Sequence, residues 1–242
     1  MAKNEKPEVH TAIDDINDSL TKAELKIQEN KKMIKWVCIG GVAIVAIVLL
    51  FIYAYLRPAQ NAANTQYGLA SNLAAGYEIT ANQLDSAANA LQLDAVAKAF
   101  ANAANEGQDG GNNATLMAAI YEFKKADYNK ALEYLADYSH KDVIVAALSQ
   151  CLKGDCLVNL DKFEEAIDAF ESAENSCDEN PIIAPYALMK QATVYRHLGN
   201  YAEEAKCYEE ITKNYPGYAA NINVNIENYL ARAKAQAEAS AK

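Results

Sequence analysis

The sequence predicts an all-α protein: one N-terminal transmembrane helix followed by an α-solenoid of short helical repeats. Two observations carry this. Residues Trp36 to Leu56, WVCIGGVAIVAIVLLFIYAYL, run for 21 positions without a charge, between Lys35 and Arg57. Downstream, the pattern Ala126-Asp-Tyr128-Asn-Lys-Ala131 returns as Asp161-Lys-Phe163-Glu-Glu-Ala166 and again as Gly199-Asn-Tyr201-Ala-Glu-Glu204, at intervals of 35 and 38 residues. A fixed period of that size is the signature of stacked helical units that cannot bury their apolar faces alone.

Residues 1–35 form the first segment. Residues 1–10 are polar and read as disordered, after which Ile13, Ile16, Leu20, Leu25 and Ile27 recur at mostly helical intervals. Thr11 with Asp14, and Thr21 with Glu24, have capping-box spacing, so a short amphipathic helix leads into the apolar run.

The span itself is residues 36–56. At about 1.5 Å per residue it reaches about 30 Å, the thickness of a bilayer hydrocarbon core. A cleavable signal peptide is the rival reading. The run is too long for that, some 35 residues precede it, and Tyr53, Tyr55, Arg57 and Pro58 make a poor small-residue cleavage site. Lys22, Lys26, Lys31, Lys32 and Lys35 crowd the N-terminal flank, whereas Arg57 is alone on the other side as far as Lys98. By the positive-inside rule the N-terminus is cytoplasmic and everything after Arg57 lies outside.

Charge separates the two sides. Residues 1–56 carry seven Lys against seven Asp or Glu, and residues 57–242 carry fifteen Lys or Arg against twenty-five Asp or Glu. A net −10 beyond the span leaves no electrostatic footprint for nucleic acid and points to protein partners. Of five cysteines, Cys38 is in the span, and Cys151, Cys156, Cys177 and Cys207 show no zinc-ligand spacing. They read as small buried hydrophobes. An oxidising compartment would also allow a bridge, for which Cys151 and Cys177, at ends of antiparallel helices, are the candidate pair.

Residues 58–111 are rich in Ala and Asn, with apolar positions that predict a degenerate helical pair near 62–78 and 82–105. Gly107-Gln-Asp-Gly110-Gly111-Asn-Asn then breaks the pattern. No strand precedes these glycines and no Lys-Ser/Thr follows them, so a phosphate loop is excluded. Residues 112–218 hold three repeats. Each pairs a helix carrying small residues with a second helix whose aromatic fills the gap beside them. Residues 219–242, with Ile222, Ile226, Tyr229, Leu230 and Ala233 at helical spacing, read as one capping helix and a tail.

This grammar resembles the tetratricopeptide repeat. Gly154, Leu157, Phe163, Ala166, Phe170 and Ala173 fall on that motif's positions, as do Ala192, Tyr195, Gly199, Tyr201, Tyr208, Ile211 and Pro216. Departures are Glu204, where the motif has alanine, and Glu122, where it has an aromatic. The first repeat matches through Ala119, Tyr128, Ala131 and Leu135. The whole layout, ending in Glu227, Tyr229, Leu230, Ala231, Arg232, Ala233 and Lys234, resembles single-span periplasmic envelope proteins of Bacteroidetes type that are YfgM-like in architecture. That resemblance implies an inner-membrane protein with a periplasmic repeat domain, ancillary to the Sec translocon. Its implied partners are translocon subunits, a periplasmic chaperone or exported clients. It also implies Asp85-Ser86-Ala87 as a short O-glycan acceptor at Ser86, a weak three-residue match.

Carrying over the motif's groove-facing positions gives Asn113, Leu116, Ile120 and Phe123 from the first repeat. The second contributes Leu148, Cys151, Asp155 and Asn159, and the third Tyr186, Met189, Thr193, Arg196 and His197. On this reading Leu116, Ile120 and Phe123 make an apolar patch at one end, and Tyr186, Arg196 and His197 a mixed one at the other. An extended or helical peptide is the natural ligand.

Chemistry has little to stand on. His10, His140 and His197 have no ligand spacing, no nucleophile motif occurs, and Glu164-Glu165 and Glu203-Glu204 sit where acidic side chains favour a helix N-terminus. The expectation is a non-enzymatic scaffold without cofactor or small-molecule substrate. The alternative is a structural adaptor of another envelope complex (secretion, gliding or outer-membrane assembly) that binds no clients.

Overall fold

The computed structural model describes residues 12–105, 109–139, 142–177 and 179–241. Residues 1–11, and with them His10, Thr11 and the polar tail, lie outside these, as does His140. The described chain is helical throughout, with no strand. It forms two compact units that divide after Pro58.

The first unit contains α1 (Ala12–Glu29) and α2 (Lys31–Phe51), followed by a π-helical turn, Ile52–Leu56. Among the described residues one helical stretch, beginning at Lys31, is long and apolar enough to cross a membrane, and its 18-residue apolar window has a mean hydropathy of 2.8. None of that window is buried. Its large side chains, Trp36, Ile44, Leu50 and Phe51 among them, are exposed. At the end of the run the guanidinium of Arg57 lies 4.3 Å from the centroid of the Tyr53 ring.

The second unit is a stack of helices. Its members are α3 (Arg57–Thr80, from Ala59 on), α4 (Ser86–Ala104), α5 (Asp109–Lys124) and α6 (Tyr128–Asp137). They are followed by α7 (Val143–Asn159), α8 (Phe163–Ser176), α9 (Ile183–His197), α10 (Tyr201–Asn214), α11 (Tyr218–Ile222) and α12 (Ile226–Ser240). From α4 to α10 each helix packs on the next, and α12 closes on α10. Contacts are between neighbours, the quasi-one-dimensional pattern of a solenoid.

The turns show why the sequence repeats. Ala126, Asp161 and Gly199 all adopt left-handed backbone, with φ of 62°, 57° and 72°. The next residue's amide in each case donates back to a carbonyl five residues earlier: Asp127 to Glu122, Lys162 to Leu157 and Asn200 to Tyr195, at 2.8–2.9 Å. This Schellman arrangement satisfies orphan carbonyls at the end of one helix. The side chains of Asp127 and Asn200 accept from the amides of Lys130 and Glu203, starting the next helix with an N-cap. One four-residue segment thus stops one helix and starts its antiparallel partner.

Small residues set how close the partners come. Gly154 on α7 faces Phe170 on α8 so tightly that a Cβ on Gly154 would clash with the edge of the Phe170 ring. Four apolar clusters follow one another along the stack. In the first, Phe100 stacks on Tyr121 at 5.4 Å and Tyr77 meets Tyr121 edge-on at 6.4 Å, tying α3, α4 and α5 together.

Three expectations are corrected. The helices do separate, α4 ending at Ala104 and α5 starting at Asp109, with Gly107 outside the described residues, but Gly110, Gly111, Asn112 and Asn113 are helical, within α5. Asn112 exchanges side-chain hydrogen bonds with the Ser139 backbone at 2.8 and 3.1 Å, and Ala114 is fully buried, so tertiary contact overrides glycine's poor helix propensity. The cap is two helices, because Asn223 turns left-handed at φ 52° and Asn225 caps a new start. Glu204 does more than favour a helix N-terminus. It is fully buried and accepts a 2.9 Å hydrogen bond from Arg232 of α12.

Candidate functional site

The first helices of consecutive pairs, α5, α7 and α9, touch one another and form one face of the stack. On that face lies a groove of about 260 Å³. Leu116 and Ile120 enter it from α5, Val145, Leu148, Leu152 and Asp155 from α7, and Tyr186 from α9. Spacing explains the selection: Leu116 and Ile120, and Val145, Leu148, Leu152 and Asp155, are three or four residues apart and so lie on one face of each helix. Leu148 and Tyr186 remain exposed, so an apolar surface is open to an incoming side chain.

At one end of the groove Lys190 donates to both carboxylate oxygens of Asp155, at 2.7 and 2.8 Å. Its ammonium also lies 4.9 Å from the centroid of the Tyr186 ring. Burial works against the charge on Lys190, but the Asp155 hydrogen bonds and charge outweigh it and raise its pKa. The groove's two charges therefore hold each other, and what it offers a ligand is apolar surface.

Of the residues expected to face the groove, Leu116, Ile120, Leu148, Cys151, Asp155 and Tyr186 come together there. The expected division into two end patches is corrected, because the stacking of α5, α7 and α9 brings Tyr186 to Leu116 and Ile120. Phe123 packs edge-on against Tyr128 at 5.5 Å, inside its own helix pair. Met189 packs against the cluster formed with α10 and the cap. Thr193 and Asn159 spend their polar groups on the carbonyls of Met189 and Asp155. Arg196 and Asn113 are exposed, and the His197 ring lies 4.6 Å from that of Phe163. Lys190 was missed by sequence reading. Its signal was there: a cation four residues after Tyr186 and 35 after the groove's single acid.

Cys151 and Cys177 share one apolar cluster as free thiols, so the candidate bridge is not formed in this structure. Burial pushes the thiols of Cys151, Cys156 and Cys207 up to about 12. Such thiols stay protonated at neutral pH and are poor nucleophiles and poor metal ligands. No metal-binding cluster of His, Cys, Asp or Glu occurs among the described residues. A second depression of about 850 Å³ lies between α8 and α10, lined by Glu174, Glu179, Glu210 and Lys213, and is polar and open.

Two family models described as tetratricopeptide repeat match residues 147–178 and 186–218. The chain carries tetratricopeptide repeats. The matches fall on α7–α8 and on α9–α10 with the turn after it, the two pairs that supply Leu148, Asp155 and Tyr186 to the groove. The crystal structure of MamA is a similar solved structure, at a TM-score of 0.45 and 18% identity, covering 62% of this chain and 91% of that one. No curated protein matches the chain. Tetratricopeptide-repeat proteins are in general non-catalytic scaffolds that bind proteins, and no enzyme family is indicated.

Proposed function

We propose that the chain is a single-span, membrane-anchored scaffold that holds a segment of a partner protein in the groove between α5, α7 and α9. The observation that carries this reading is the convergence of Leu116, Ile120, Leu148 and Tyr186, from three separate helices, on one open apolar groove. The lysine-rich flank before Trp36 supports a cytoplasmic N-terminus and an exported repeat domain. The resemblance in layout to YfgM-like envelope proteins supports a place beside the Sec translocon or among periplasmic chaperones, with exported chains as clients. Binding is stoichiometric and no bond is made or broken.

The test is photocrosslinking in cells from a reactive amino acid at position 148 or 186, followed by mass spectrometry. Crosslinks to translocon subunits or to many exported chains support the proposal. A single fixed partner from another envelope complex would instead make the protein a structural adaptor. Leu148→Glu should abolish the crosslinks from position 186 while leaving the helical content unchanged, since residue 148 is exposed in the free chain.

A further inference from the structure

α3 carries two rows of residues with the same alternating spacing of four and three. Ala63 is buried, and Tyr67, Ala70, Ala74 and Tyr77 are buried or half-buried in the first cluster. Ala62, Gln66, Leu69, Leu73 and Gly76 lie about 100° further round the helix and are exposed along their whole length. Leu69 and Leu73, one turn apart, keep 60% and 46% of their surface in water. Burying such leucines against a partner removes apolar surface from water and is favourable. A mean spacing of 3.5 residues keeps such a row on one side of a helix and is compatible with the seam of two helices winding left-handedly around each other.

Charge selects the occupant. Residues 57–242 carry a net −10, so a second copy approaching over most of this surface meets like charge. From Pro58 to Tyr77 there is no charged residue. A seam without charge offers nothing for a basic or acidic partner to recognise, and it is the stretch where two copies of this acidic chain meet without repulsion. Gln66, the polar member of the row, resembles the single polar seam residue that fixes register in paired helices. Gly76 has open space where a side chain would stand, which lets a neighbouring helix come close.

We propose that α3 pairs with α3 of a second copy in a parallel, in-register seam through Ala62, Gln66, Leu69, Leu73 and Gly76. The parallel direction rests on the proposed anchoring: α3 follows the apolar run in sequence, so two copies in one bilayer start α3 on the same side. Confinement in a membrane raises the effective concentration at which a short seam of this kind closes.

The experiment uses the full-length chain with Cys38→Ala, reconstituted in phosphatidylcholine vesicles and treated with a short bis-maleimide; the other four cysteines are buried. Ala62→Cys and Leu73→Cys should each give covalent dimers in at least tenfold higher yield than Asn64→Cys, which is exposed half a turn away from Leu73. Equal yields at all three positions, or no dimer at the seam, would overturn the pairing. A dimer at only one of the two seam positions would overturn the parallel register. Leu69→Glu with Leu73→Glu should keep the circular dichroism and melting temperature of the parent chain, because both residues are exposed in it, and should abolish the crosslink at Ala62→Cys. A dimer that survives this pair of charges refutes the seam. None of these readouts involves the α5–α7–α9 groove, so failure here leaves the peptide-binding reading standing, and the converse holds.

Discussion

Gly154 and Phe170 set the distance between α7 and α8. Gly154→Ala drives a methyl against the edge of the ring, and overpacking of this kind costs about 1–3 kcal/mol. Thermal melts of the 59–242 unit should show a drop in midpoint for Gly154→Ala, and a smaller drop when Phe170→Leu accompanies it. Equal losses with and without Phe170→Leu would mean that the glycine is not there for the ring. The left-handed turn residues offer the opposite sign. Ala126 holds φ 62° with a Cβ, a conformation that costs a non-glycine residue about 1–2 kcal/mol. Ala126→Gly should therefore raise the midpoint, and Gly199→Ala, at φ 72°, should lower it.

At the scale of elements, the cap is latched by a charge where the repeat pattern has alanine. Glu204 is fully buried, whereas the Arg232 side chain keeps 39% of its surface in water. Removing one partner of a buried pair costs about 3–5 kcal/mol when the remaining charge cannot be solvated. Arg232→Met strands Glu204 and should cost more than Glu204→Ala, which leaves Arg232 able to reach solvent. Glu204→Ala with Arg232→Met should recover most of the loss in urea titrations, and the cap should show faster hydrogen exchange only in Arg232→Met.

Where α5 meets α3 and α4, two carboxyls are paired with lysines at its C-terminal end: Glu78 of α3 with Lys124, and Asp94 of α4 with Lys125. Hydrogen bonds from Lys125 and then Lys98 hold the Asp94 carboxyl down at about 2, and the Lys124 hydrogen bond lowers that of Glu78. A carboxyl whose pKa is depressed on folding adds stability above its ordinary value, and that stability is lost as the pH falls through the folded value. Protection of α4 and α5 amides should thus decline as the pH falls from about 4 towards about 2, and Asp94→Asn should flatten that decline.

For the whole molecule, the proposal ties the anchor to the groove. A soluble 59–242 fragment should keep its helical circular dichroism and lose most of its partner crosslinking from position 186, because tethering supplies effective concentration to a shallow groove. Equal occupancy in fragment and full chain would reduce the span to a passive anchor. The helices and the repeat period were legible because they are local: four-residue turns with a left-handed residue, small-residue positions and helical spacing are written in consecutive residues. The groove was half legible. Helix faces follow from spacing, so Leu116, Ile120, Leu148, Asp155 and Tyr186 could be named in advance. For Phe123, Met189 and His197 spacing alone does not show the neighbouring ring or cluster against which each packs.

By itself the sequence determined an all-helical repeat stack, an apolar stretch long enough to span a bilayer and an acidic surface suited to protein partners, all of which depend on composition and short-range pattern. Tertiary structure alone decided that Tyr186 joins Leu116 and Ile120 in one groove, that Lys190 neutralises Asp155 there, and that Glu204 is a latch for the cap. The physical reason is distance in sequence. These contacts join residues 28 to 70 positions apart, whose meeting is set by how helix pairs stack and how closely Gly154 lets them approach.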